Sequence, residues 1–222
     1  MRAIRAAVGH GIALALLVAW PGLAQAAPSA PQATMAGLEL SDQARMMADW
    51  VVRNDDTKGL PFLIIDKLDA RVFAFDARGV LLRFAPALIG LTPGDVSPPG
   101  IGSKRLAEIT PAQRITPAGR FEASLGKNLA GQTILWVDYE AAVSLHRVVA
   151  TNRAERRLQR LATQSAADNR VSYGCINVPV AFYDEVVEPL FSAADGIVYI
   201  LPEAALPSDA SSPITRFRSS KD

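Results

Sequence analysis

Apolar residues after position 40 fall into two kinds of run, and the kind of run predicts the element. Ser41 and Asp42 precede Ala44, Met47, Ala48 and Val51, which recur at the spacing of one helix face until Asn54-Asp55-Asp56 ends the pattern. This predicts a helix capped by Ser41. Pro61–Lys67 (PFLIIDK) and Ala70–Asp76 (ARVFAFD) are instead short, β-rich runs, and Asp76-Ala77-Arg78-Gly79 turns the chain into Val80–Phe84, predicting a small meander. Strands are expected again at Arg120–Ala123, Thr133–Asp138 and Ala142–Arg147, with a helix at Asn152–Gln164 and extended chain at Val171–Val178. Pro179–Phe191 reads as a helix with Pro179 near its first turn, and Gly196–Leu201 (GIVYIL) as a last buried strand. Between the meander and Arg120–Ala123, Gly90–Gly119 is a long stretch rich in Gly, Pro and Thr, and a loop of that length is usually functional or mobile. There is no internal repeat. The expected fold is mainly β with appended helices, mostly antiparallel, and not the alternation of a doubly wound sheet.

The two ends carry different patterns. Arg2 and Arg5 precede the apolar run Gly11–Trp20, Pro21-Gly22 breaks it, and Ala24-Gln25-Ala26 has the small residues of a signal-peptidase site. The run is short for a bilayer span, so residues 1–26 are expected to be a signal peptide, an uncleaved anchor being the alternative. The remainder divides into a linker and N-terminal helix (27–60), a domain (61–202) and a polar tail (203–222). The expected location is periplasmic, with no stable membrane span after cleavage.

Composition narrows the chemistry. The 222 residues are half hydrophobic, enough for a sizeable core. Lys plus Arg is 23 against 22 Asp plus Glu, and losing Arg2 and Arg5 leaves 21 against 22. A chain so balanced has no basic surface to favour nucleic acid. Beyond the signal it keeps one histidine, His146, and one cysteine, Cys175. That pair cannot build a structural zinc site without many carboxylates, so neither metal nor other cofactor is expected. A single thiol in an oxidising compartment is an inert buried side chain, half of an intermolecular disulfide, or a nucleophile.

The segment Val171-Ser172-Tyr173-Gly174-Cys175-Ile176-Asn177 favours the last. Gly174 permits backbone angles other residues resist and a close approach of substrate, and amides around such a glycine can face a developing oxyanion. His146 is the side chain whose ordinary titration range suits the activation of a thiol. A strand–loop–strand return could bring the two together.

These residues resemble the L,D-transpeptidase catalytic domains of bacterial peptidoglycan metabolism. In that family a histidine precedes a Ser/Thr-His-Gly-Cys-hydrophobic-Asn/Arg motif, matched here by His146 and Ser172–Asn177. Thr116-Pro117-Ala118-Gly119-Arg120-Phe121 is similar to its Thr-Pro-x-Gly-x-Phe element, and the likeness runs from about Phe62 to Leu201. The resemblance implies a β-sandwich or barrel in which Cys175 is the nucleophile and His146 its base. The carbonyl of Arg147 would hold the imidazole tautomer, and the Gly174 and Cys175 amides would form the oxyanion hole. Ser172 and Asn177 would support the loop, and Tyr173 and Arg147 could line a substrate groove.

The implied partner is a peptidoglycan stem peptide, cleaved with loss of D-Ala to a thioester that passes to an amine. Two alternatives keep the fold: an L,D-carboxypeptidase or endopeptidase using water, and an inert peptidoglycan-binding protein. The chain departs from the motif in having Tyr173 where a second histidine is usual. It also has a longer, Arg-rich insertion over 147–170, readable as a stem-peptide-binding lid or as a solvated helix face. The acyl acceptor and the oligomeric state are left open.

Overall fold

The computed structural model describes residues 40–204. The expected signal peptide, the part of the expected linker before residue 40 and the tail from 205 lie outside them. Helix α1 (Asp42–Arg53) begins at Ser41, whose Oγ accepts the Ala44 N–H at 3.1 Å. Ala44, Met47, Ala48 and Val51 are its buried residues, the face that the spacing predicted. Strands β1 (Phe62–Asp66), β2 (Arg71–Phe75) and β3 (Leu81–Pro86) form the meander, and β4 (Ile89–Gly90) follows at once. After the long loop come β5 (Gly119–Lys127), β6 (Thr133–Asp138) and β7 (Val143–Arg147).

The insertion holds a 3-10 turn (Arg153–Glu155) and a short α2 (Arg157–Leu161) in place of one helix, because Arg156 between them takes φ +50°. The expected extended run Val171–Val178 divides into β8 (Arg170–Ser172) and β9 (Ile176–Val178) around Gly174, whose φ is +126°. A continuous helical segment follows: α3 (Val180–Phe182), a π-helical stretch (Tyr183–Val187) and α4 (Glu188–Ser192). Strand β10 (Gly196–Ile200) completes the fold.

Eight strands form one sheet in the order β3-β2-β1-β10-β5-β6-β7-β9, and β4 pairs with β8 in a second, two-stranded sheet. Neighbours in the large sheet are antiparallel except β1–β10 and β7–β9. The architecture is therefore mainly β, mostly antiparallel, with appended helices. Its two edges approach each other: Leu88, just beyond β3, exchanges backbone hydrogen bonds of 2.8 and 2.9 Å with Asn177 of β9. The corner is β5, which pairs with β10 over Gly119–Ala123 and with β6 over Ser124–Lys127.

Both faces of β1, β2 and β10 are covered, which is why their sequences do not alternate with polar residues. Phe62, Ile64, Phe73, Phe75, Ile197 and Tyr199 pack with α1; Leu63, Ile65, Val72, Ala74, Val198 and Ile200 face the main core with Phe182, Tyr183, Val187 and Phe191. Phe62 stacks on Phe75 with ring centroids 4.6 Å apart.

The long loop is tied down by buried polar contacts. Lys67, fully buried, donates to the Gly94 carbonyl (2.6 Å), the Asp95 carboxylate (2.7 Å) and the Thr116 carbonyl (3.0 Å). A buried ammonium is tolerated only with such a set of acceptors. Glu203, expected in the tail, belongs to this knot. Its carboxylate meets Lys67 at 3.4 Å and Arg170 at 2.8 Å, and its amide donates to Asp95 at 2.9 Å.

Candidate active site

Strand periodicity aims the site. On β6 and β7, Leu135, Val137, Val143 and Leu145 point into the core, so Ile134, Trp136, Ser144 and His146 share the opposite face. Those four lie in a cleft of about 560 Å³ together with Cys175. Cys175 arrives from the parallel neighbour β9, whose Ile176 and Asn177 stand beside Leu145 and His146. The register therefore sets Cys175 next to Ser144, whose Oγ lies 3.6 Å from the sulfur.

His146 and Cys175 line the same cleft, where each shifts the titration of the other, and the sulfur lies 3.6 Å from both Ser144 Oγ and the Ala142 carbonyl. His146 Nδ1 lies 2.7 Å from the Arg147 carbonyl, which can only accept, so Nδ1 carries the proton and Nε2 is left for the thiol. Burial pushes the Cys175 thiol up, but the neighbouring His146 and its charge, with the Ser144 contact, bring the thiol below its ordinary range. Burial pushes His146 down. The neighbouring Cys175 and its charge, with the Arg147 carbonyl, outweigh both burial and the opposing charge of Arg157, so the imidazole titrates above its ordinary range. Both directions favour a thiolate–imidazolium pair.

The loop carrying Cys175 is held by side chains from distant segments. Thr116 Oγ1 donates to the Gly174 carbonyl at 2.7 Å and accepts the Gly90 N–H at 2.8 Å. Ser172 Oγ accepts the Gly174 N–H at 3.1 Å and donates to the Cys175 carbonyl at 2.6 Å. Glycine is needed at 174 on two counts: the positive φ, and the Ile115 carbonyl 2.8 Å from where a Cβ would stand.

Not every expected site residue is placed as the sequence suggested. The Gly174 amide is already bonded to Ser172, so of the two amides expected in the oxyanion hole, the one without an acceptor among the described residues is that of Cys175. Tyr173 does not line the cleft; it packs against Arg114, whose guanidinium sits 3.8 Å from the ring centroid. Arg147 does line it, but its guanidinium is committed to Asp184 and Glu188 (2.5 Å each) and to the Thr133 carbonyl (3.0 Å), so it is not free for a substrate carboxylate. Most arginines of the insertion are likewise paired within the fold. Arg160 meets Asp168, Arg170 meets Glu203, and Arg157 meets Glu155.

Other residues of the site escaped the sequence reading. Ser144 could have been found from its position two residues before His146 on a strand, Thr116 was visible only as the first residue of the Thr-Pro-x-Gly-x-Phe element with no role attached, and Arg157 has no local signal. Trp136 and Tyr139 also line the cleft, with ring centroids 4.9 Å apart. Among the described residues no cluster of His, Cys, Asp or Glu could hold a metal, and no helix is long and apolar enough to cross a membrane.

No protein-family model and no curated protein matches the chain. The solved structures it aligns with include L,D-transpeptidases. A structure of the LD transpeptidase LdtMt1 in complex with imipenem is 15% identical, with a TM-score of 0.34, over 63% of this chain and 58% of that one. The catalytic domain of the E. faecium L,D-transpeptidase is 16% identical, TM-score 0.34, over 64% of this chain and 97% of that one. The helical cell shape determining protein Pgp2 (K307A mutant) from Campylobacter jejuni is 12% identical, TM-score 0.41, over 74% of this chain and 58% of that one. The alignment thus spans little more than half the length of the first and last of these proteins.

Proposed function

We propose that the protein is a periplasmic cysteine acyltransferase of the L,D-transpeptidase type, acting on peptidoglycan stem peptides. One observation carries the reading: His146 and Cys175 line one cleft large enough for a peptide, brought there by the β7–β9 pairing, and each biases the other toward imidazolium and thiolate. The match of Ser172–Asn177 and Thr116–Phe121 to the family's motifs supplies the substrate class.

In this reading the Cys175 thiolate attacks the carbonyl carbon of the bond between the diaminopimelate-type residue and D-Ala. The carbonyl oxygen takes the negative charge facing the Cys175 amide. As the tetrahedral adduct collapses, the C–N bond breaks and His146 Nε2 gives its proton to the departing amine, leaving a thioester. An incoming amine, deprotonated by His146, attacks the thioester carbonyl, and the thiolate leaves with the acyl group transferred.

Incubation of the protein with a disaccharide-tetrapeptide, followed by mass spectrometry, tests this. The expected result is loss of D-Ala with formation of a cross-linked dimer, absent in Cys175→Ala. Tripeptide without dimer would transfer the reading to a hydrolase. No turnover, with a Cys175 that also resists acylation by a carbapenem, would identify an inert binding protein.

A further inference from the structure

The Arg-rich insertion reaches the nucleophile loop through one side chain. Arg157, at the start of α2, is nearly enclosed, its side chain 12% exposed. Its Nε donates to the Glu155 carboxylate at 2.5 Å and its Nη1 to Asn177 Oδ1 at 2.6 Å. Asn177 in turn donates from Nδ2 to the Cys175 carbonyl at 3.3 Å, the carbonyl that Ser172 also holds. Asn177 stands beside His146 in the β7–β9 ladder, so one amide lies between the insertion and both members of the pair. The insertion is stiffened independently, since Arg160 bonds the carbonyls of both Glu155 (2.9 Å) and Asp168 (2.5 Å).

The two ends of an asparagine amide are similar in shape and opposite in hydrogen-bonding sense. A guanidinium only donates, so its contact admits only the oxygen end of Asn177 and turns the NH2 toward the Cys175 carbonyl. Without it, the amide could flip and set two lone-pair-bearing oxygens against each other. We propose that Arg157 is a positioning residue for the nucleophile, acting through Asn177 to hold the Cys175 backbone in register with His146. This deepens the reading of Cys175 as a nucleophile and rests on it. The charged groups that face His146 are Cys175 from the nucleophile loop and Arg157 from α2, which opposes the imidazolium.

The test compares the full chain with Arg157→Met, Arg157→Lys, Asn177→Asp and, as a control, exposed Arg153→Met. Iodoacetamide labelling of Cys175 and D-Ala release are followed across pH. In Arg157→Met, kcat for D-Ala release should fall roughly tenfold with KM retained, as expected when a reacting group is slightly misplaced. The basic limb of its pH profile, set by His146, should move up because a neighbouring positive charge is gone. Arg157→Lys should restore the limb and part of the rate. Asn177→Asp should lose rate as Arg157→Met does while unfolding no earlier than wild type, since it keeps its partner in Arg157 but cannot donate to Cys175. Arg153→Met should match wild type. If Arg157→Met kept the wild-type rate and limb, or if Arg153→Met lost as much, the proposal would fail. A wild-type Cys175 labelled no faster than an ordinary thiol would instead overturn the nucleophile assignment on which it rests.

Discussion

The two halves of the large sheet are held together by different physics. Around β1, β2 and β10 the adhesive is apolar surface: both faces are covered, by α1 on one side and the main core on the other. Around β6, β7 and β9 one face opens into the cleft, and the segments beside it are fastened by hydrogen bonds to residues far away in sequence. Thr116 fastens Gly174 to Gly90, and Arg157 fastens Asn177. Burial is tolerant of detail, because apolar contact has no direction. A hydrogen bond is directional, so the second half has the means to fix a thiol beside an imidazole. Stability and activity should therefore respond to different residues.

The largest separation between them should come from Cys175→Ala. D-Ala release and carbapenem acylation should be lost, on the order of 10⁴-fold or more, while thermal unfolding stays close to wild type. A parallel loss of stability would show that the site half also holds the fold together.

The pH dependence comes next. The rate should form a bell whose acid limb, thiol deprotonation, lies below the ordinary cysteine range, since the Cys175 pKa is lowered. Its basic limb, loss of the imidazolium proton, lies above the ordinary histidine range, since the His146 pKa is raised. A single rising limb at the ordinary thiol value would mean the pair does not form. Met47→Ala, on the buried face of α1, should cost about 2–5 kcal/mol of stability by opening a cavity, with the rate per folded molecule unchanged. Thr116→Val should cost about 1–3 kcal/mol, since it leaves the Gly90 amide and Gly174 carbonyl without their partner. It should also lower kcat, which would place this side chain in both halves of the comparison at once.

The same division explains what was legible in the sequence. The face of α1 follows from periodicity and β1, β2 and β10 from unbroken apolar runs, because burial leaves its trace in neighbouring residues. The cleft-facing side of β7 was legible in principle, as Ser144 and His146 are two apart on a strand. Thr116, Lys67 and Arg157 leave no such trace. Their partners lie 58, 28 and 20 positions away, and a polar residue in a loop looks the same whether it is solvated or pinned. The helical reading of the insertion failed at Arg156 for a related reason: a left-handed residue interrupts it without a glycine to announce the break. Arg147 shows the converse. Its charge suggested substrate binding, whereas its useful atom is the backbone oxygen beside His146.

The parallel pairing of β1 with β10, Phe62 beside Ile197, also dictates an order of events in folding. The first strand of the domain pairs with β2 at once, but its other neighbour does not exist until the last strand has been made, and this long-range closure is the slow kind. Until then β1 has apolar side chains on both faces and an unpaired backbone edge, a template for association with other chains. A chain truncated before Gly196 should therefore aggregate rather than fold in part, and a chaperone that shields Phe62–Asp66 would find its work complete only when β10 arrives.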